Sequence, residues 1–250
     1  MTTNGRTVAT AESNFFDSNG VKIHYTDEGR GVPVLLIHGF NGNIDRTWRQ
    51  RGVIDGLIAA GYRVIAYDNR AHGESDKPLE PEKYGLEMVE DGRRMLDHLE
   101  IERAHVVGYS MGSRIAIKFR EVHPSRFLSV TLGGFGSLPP RERSVEDLET
   151  TLRSRGLLDV MNPVALAVVR SRFSELAVDE RSLRANKVPA LVLVGDEDFL
   201  YPAAQSLAET ISNVEMKVVP GTHGTALASE EFINGLLDFI GRHDPQPKTN

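Results

Sequence analysis

Ser110 stands between two glycines, in Gly108-Tyr109-Ser110-Met111-Gly112. The segment follows an apolar run, Ala104–Val107, and precedes a helical stretch, Ser113–Val122. A sharp strand-to-helix turn there strains the serine backbone and lifts its hydroxyl clear of a sheet. Side chains two positions to either side would collide, which accounts for the glycines. The new helix would also aim its N-terminal amides at the same point. The chemistry such a serine could do is nucleophilic attack, and a neutral hydroxyl needs a base for it. Of the eight histidines, His223 alone follows the last apolar run, in Pro220-Gly221-Thr222-His223-Gly224, before the final helical stretch. The base needs a carboxylate to orient it. Gly195-Asp196-Glu197-Asp198 offers three, whereas Gly133-Gly134-Phe135-Gly136 offers none. Spacing leaves Asp196 and Asp198 both open. In His38-Gly39-Phe40 the backbone matters most: the amide of Phe40 can pair with that of Met111 as an oxyanion hole. His38 itself reads as a structural histidine bracing the loop.

These residues need elements that bring them to one place. Asn14–Phe16 and Val21–Thr26 flank Asp-Ser-Asn-Gly and read as a hairpin. Val32–Ile37, Arg63–Tyr67, Ala104–Gly108, Leu128–Leu132, Ala190–Val194 and Glu215–Val219 are short runs rich in Val, Leu and Ile. Runs apolar on both faces fit buried parallel strands, giving eight strands in all. Between them, Leu86, Val89, Leu96 and Leu99 share one helical face, and Phe232, Leu236, Phe239 and Ile240 share another. The expected fold class is therefore α/β: a mostly parallel sheet covered by helices on both faces and opened by an antiparallel hairpin. The loops at the C-terminal ends of parallel strands share one rim, where Ser110 and His223 would meet.

The alternation breaks between Ser137 and Lys187, which contain no convincing strand. Ser144 and Asp147 make a capping start, followed by Val145, Leu148 and Leu152 at helical spacing. Asn162-Pro163 is a second start, followed by Leu166, Val169 and Phe173 on one face. The expected organisation is a core of residues 1–136 and 188–250, with 137–187 inserted between the sixth and seventh strands as a small helical lid. Residues 1–13 and the tail from His243 are polar and read as loose ends. The start lacks the basic and apolar regions of a signal peptide, so the expected location is cytoplasmic.

Composition removes whole classes. With no cysteine, disulfides and thiolate chemistry are excluded. The net charge of -6 argues against a nucleic-acid partner, and no uncharged apolar run approaches a membrane span. No nucleotide, flavin or metal motif is present, so no cofactor is expected. The expected partner is a small-molecule substrate, and no oligomeric state is assigned.

Together the segments His38–Phe40, Asp68–Ser75, Gly108–Gly112, Gly195–Asp198 and Gly221–His223 resemble the α/β-hydrolase superfamily over almost the whole chain. The order Ser, Asp, His is that of the family. The resemblance implies Asp198 as the acid, the third residue after the glycine that ends strand seven. It also implies a mainly structural turn at Asp68–Ser75, with neither His72 nor Asp68 catalytic. Thr222 and Ala71 depart from residues common in relatives without touching the chemistry. The serine argues against the dehalogenases and epoxide hydrolases of this fold, which use aspartate. The leading expectation is a serine esterase acting through Ser110, His223 and Asp198. Alternatives are a carbon–carbon bond hydrolase of a vinylogous diketone acid, a cofactor-free haloperoxidase, and a non-catalytic receptor. The second would need cations for a substrate carboxylate, with Arg114, Arg153, Arg155, Arg170 and Arg172 as candidates against their reading as solvated helix arginines.

Overall fold

Along Val34–Ile37 every side chain is buried, and successive side chains join two different apolar clusters. Val34 and Leu36 face one layer of helices, Leu35 and Ile37 the other. That is what an uninterrupted apolar run means in a strand with a helix on each side. The computed structural model of the protein describes residues 13–136, 144–158 and 161–246. Its strands are β1 (Asn14–Asp17), β2 (Lys22–Gly29), β3 (Pro33–Ile37), β4 (Arg63–Tyr67), β5 (Ala104–Tyr109), β6 (Phe127–Gly133), β7 (Ala190–Gly195) and β8 (Val214–Val219). They form one sheet in the order β1-β2-β4-β3-β5-β6-β7-β8. β1, β2 and β4 pair antiparallel, and every later pairing is parallel.

The helices are α1 (Val53–Ala59), α2 (Leu86–His98), α3 (Met111–Val122), α4 (Val145–Ser154), α5 (Pro163–Ser171), α6 (Glu180–Arg184), α7 (Tyr201–Thr210) and α8 (Glu230–Gly241). α1 and α8 cover one face, with Ile54, Leu57, Phe232, Leu236 and Phe239 packed on Val64, Val107 and Leu193. The other face carries α2, α3 and α7, together with Leu148, Leu152, Leu166 and Val169 of α4 and α5. Chain order and spatial order reverse at β3, which lies between β4 and β5. That switch point puts the loops after β3 and β5 side by side, where open α/β sheets bind ligands.

All eight expected strands are present, and the stretch between β6 and β7 is helical among its described residues. Residues 137–143, at the expected start of the insertion, lie outside the described residues, as do most of the expected loose ends. Three expectations need correction. Leu86 and Val145 begin their helices facing solvent, at 46% and 39% exposure, and α2 instead buries Met88, Val89, Met95 and Leu96. Each is the first residue of its helix. α3 starts at Met111, two residues earlier than expected, so the helix follows Ser110 directly. The start of the tail is tied down: Asp244 accepts from the Tyr62 hydroxyl at 3.1 Å and contacts the His105 ring at 3.0 Å.

Candidate active site

Ser110 occupies a backbone conformation (φ 54°, ψ -112°) that side chains other than glycine's rarely adopt. The surrounding backbone holds it there. Its amide donates to Gly133 O at 2.8 Å, and its carbonyl accepts from the Ser113 amide at 3.1 Å. The flanking glycines are required by contact. A Cβ on Gly108 would sit 2.4 Å from Gly112 O, and one on Gly112 would sit 1.8 Å from Ile37 O. Strand β3, the elbow and the first turn of α3 therefore touch backbone to backbone. Gly39 is less crowded but still tight, since its Cβ would lie 3.3 Å from the Ser110 Cβ.

His223 arrives on the loop after β8 and turns its Nε2 toward Ser110 Oγ, 3.0 Å away. Its Nδ1 lies 2.9 and 3.1 Å from the two oxygens of Asp198. A carboxylate facing Nδ1 puts the proton on that nitrogen and leaves Nε2 free to accept from the serine hydroxyl. Asp198 is buried, at 3% exposure, and its Oδ1 also accepts from the Leu200 amide at 2.9 Å. Asp196 points elsewhere: its Oδ1 accepts from the Gly221 amide at 2.8 Å, clasping the loops after β7 and β8. The structure thus brings Ser110, His223 and Asp198 together and leaves Asp196 as a turn brace. Sequence reasoning missed Tyr109, whose hydroxyl donates to the His223 carbonyl at 2.7 Å and whose ring lies beside the imidazole. The signal was its place in the pentapeptide, next to the serine.

The His38–Phe40 loop borders the site. His38 is fully buried, its Nδ1 2.8 Å from Gly39 O and its Nε2 accepting from the Asn69 amide at 2.9 Å. Burial, aided by the neighbouring His72, lowers its pKa to about 4, so the ring is neutral near pH 7. Met111 is the first residue of α3, and its amide has no carbonyl one turn back to bond. Behind the loop, Asp68 accepts from the Ile44 and Glu74 amides and contacts His24, and Arg70 is buried against Asp91. The Asp68–Ser75 turn is a structural knot of this kind throughout.

Two of the five arginines weighed as carboxylate ligands lie close to the site. Arg114, from α3, packs on Phe135 and Phe173, and Arg170, from α5, packs on Phe40 and Phe173. Burial and the Arg170 cation hold the Arg114 pKa below its usual value. Arg153 and Arg155 are exposed, and Arg172 pairs with Glu175. A cavity of about 630 Å³ lies to one side between the turn after β4 and the α4–α5 connection, and none of Ser110, His223 or Asp198 lines it. Among the described residues no cluster of acids and histidines could hold a metal ion, and no helix is long and apolar enough to cross a membrane.

Comparison with known proteins agrees with this architecture. The alpha/beta hydrolase fold family matches residues 32–154. A 2-hydroxy-6-oxo-6-phenylhexa-2,4-dienoate hydrolase from Comamonas testosteroni is 34% identical over 54% of this chain and 48% of its own length. A non-heme haloperoxidase from Rhodococcus erythropolis is 28% identical over 89% of this chain and 97% of its own. Across four curated relatives the matched stretch is 34% to 64% of the relative's own length. Among solved structures, a hydrolase from Pseudomonas aeruginosa PA01 shares the fold with a TM-score of 0.78, at 23% identity, over 92% of this chain and 98% of that one.

Proposed function

The chain belongs to the α/β-hydrolase superfamily, and from that premise we propose that it is a serine hydrolase cleaving small carboxylic esters through an acyl-enzyme. Ser110 Oγ attacks the ester carbonyl while His223 Nε2 takes the hydroxyl proton. Asp198 holds the ring by Nδ1 and stabilises the imidazolium. The carbonyl oxygen becomes an oxyanion received by the amides of Phe40 and Met111. The tetrahedral intermediate collapses, His223 protonates the departing alcohol, and the acyl group stays on Ser110. His223 then activates a water, which attacks the acyl-enzyme and releases the acid. The described residues of the insertion, 144–158 and 161–187, form a lid over this site, on a core of residues 13–136 and 188–246. Contact between Phe173 and Phe40, with ring centroids 5.8 Å apart, supports that placement.

The observation that carries this reading is the unbroken contact from Ser110 through His223 to Asp198, around a serine held at positive φ. The test is rapid mixing with 4-nitrophenyl butyrate, followed by acid quench and peptide mass analysis. A burst of nitrophenolate approaching one equivalent, with butyryl on the peptide containing Ser110, is expected. Absence of both turnover and adduct would overturn the reading.

Arg114 and Arg170 favour a second reading, hydrolysis of a carbon–carbon bond in a vinylogous diketone acid. Guanidinium groups recognise carboxylates by charge-assisted hydrogen bonds. If this reading holds, a 2-hydroxy-6-oxo-dienoate is cleaved with higher kcat/KM than 4-nitrophenyl butyrate. Arg170→Gln then lowers the first value at least tenfold and leaves the second unchanged. The reverse ranking of substrates returns the assignment to esters.

A further inference from the structure

The loop that carries the proposed oxyanion donor has two successive carbonyls, and a buried imidazole meets each. The first is Gly39 O, 2.8 Å from His38 Nδ1. The Asn69 amide donates to His38 Nε2 at 2.9 Å, so Nε2 is the nitrogen with the lone pair. The proton therefore sits on Nδ1, which donates to Gly39 O. That carbonyl and the Phe40 N–H are opposite ends of one planar trans peptide. Fixing the oxygen fixes the direction in which the Phe40 N–H points.

The second carbonyl is Phe40 O, 2.6 Å from Nε2 of His72. His72 comes from the turn after β4, is fully buried, and packs edge-on against both the His38 and Phe40 rings. Its other nitrogen, Nδ1, lies 3.0 Å from Arg70 O. Both partners are acceptors, and a neutral imidazole has one proton to give. The shorter contact is the one to the loop. Burial lowers the His72 pKa, which disfavours a second proton that would satisfy both carbonyls. The sidedness of this histidine is therefore a choice, and its geometry favours Phe40.

We propose that His72 is a positioning residue for acyl transfer, donating from Nε2 to Phe40 O and so holding the second peptide plane of the oxyanion loop. His38 holds the plane before Phe40 and His72 the plane after it. With both planes held, the residue between them keeps its N–H aimed at the developing oxyanion without reorganising in the transition state. This inference rests on the acyl-transfer reading and on the Phe40 amide as oxyanion donor.

Three measurements test it. In the unaltered protein, imidazole 15N shifts should show His72 neutral with its proton on Nε2; a proton on Nδ1 overturns the proposal whatever the variants do. His72→Phe keeps a ring and removes the donor. It should lower kcat on 4-nitrophenyl butyrate about 10–100-fold with KM within twofold, less than the ~10²–10³ expected for losing an oxyanion donor outright. It should weaken a trifluoromethyl ketone, which forms an oxyanion on Ser110, by the same factor as kcat. His72→Gln, whose amide nitrogen can reach the Nε2 position, should restore most of both. A folded His72→Phe with kcat within twofold, or a kcat loss without the matching loss of ketone affinity, overturns the proposal. If His72→Phe does not fold, His72→Gln decides: kcat and ketone affinity near the unaltered protein's support it, and a large kcat loss despite an unchanged melting temperature overturns it. Absence of both ester turnover and ketone binding in the unaltered protein would instead refute the acyl-transfer reading beneath it.

Discussion

At the C-terminal end of β5, Ser110, His223 and Asp198 are in contact; near its N-terminal end, Ser129, His105 and Asp244 make the same three-residue chain. Distances do not tell them apart. The histidine lies 3.0 Å from serine and 2.9 Å from aspartate in the first, and 2.7 and 3.0 Å in the second. What differs is access and backbone. Ser110 is half-buried on a strained turn at the head of α3, with Asp198 sealed behind it. Ser129 is wholly buried within β6, paired in register with His105, and it is Asp244 that reaches solvent. The rings are also reversed, since His223 offers Nε2 to serine and His105 offers Nδ1. The second chain is shut at the end where a substrate would enter, so it serves as a clasp between the sheet and Asp244, three residues past α8. A third contact chain, Ser13–His24–Asp68, lacks the elbow, and Asp68 also accepts two backbone amides. On the proposed reading, reactivity follows from exposure and oxyanion donors around the serine, not from the triplet alone.

The largest test of this contrast is alanine at each serine. Ser110→Ala should lower ester turnover about 10⁴-fold or more, while Ser129→Ala should leave it within twofold, measured as kcat on 4-nitrophenyl butyrate. Equal losses would erase the distinction. Next come the acids. Asp198→Asn should cost about 10³–10⁴ in kcat through loss of the imidazole's orientation. Asp244→Asn and Asp196→Asn should each stay within severalfold, since one braces the clasp and the other a turn.

The buried histidines then give a pH signature of the scaffold. The folded pKa values of His38 and His105 lie below the ordinary 6.5, His38 at about 4, and burial is the leading cause for both. Their stabilising contribution is complete above pH 6.5 and falls as pH drops, because the unfolded chain then binds protons that the folded one refuses. His38 alone should account for about 3 kcal/mol between pH 7 and 4. Urea unfolding at pH 7, 6 and 5 should show the decline, and His105→Asn should make it shallower. The smallest effect is the clasp's own strength: Ser129→Ala should reduce unfolding free energy by about 1–2 kcal/mol, read from the same urea curves. A change below a few tenths would mean the clasp contributes little.

Much of this was legible in the sequence because it is local. Six apolar runs and a hairpin around a turn sequence pointed to eight strands, and the glycines around Ser110 announced contacts that a Cβ would break. His223 followed from strand order alone. The choice between Asp196 and Asp198 did not, since both sit on one loop and differ only in which way a side chain turns. The family resemblance favoured Asp198, and Asp198 is the carboxylate that contacts His223. The clasp was invisible for another reason. His105 and Asp244 are 139 residues apart, and only strand register and the end of α8 bring them together. Tyr109 stood next to the serine in the pentapeptide, but its partner, like that of His72, is a backbone carbonyl, which residue type and spacing do not name. Leu86 and Val145 fit a helical period yet face solvent, because periodicity marks a face without saying where the neighbouring layer ends.

The most direct test of the central claim, that only the exposed chain of the two is reactive, is covalent labelling with a fluorophosphonate and mapping of the adduct. One phosphonyl group should be found on Ser110, none on Ser129, with labelling abolished by Ser110→Ala. An unlabelled Ser110, or a phosphonyl group on Ser129, would contradict it.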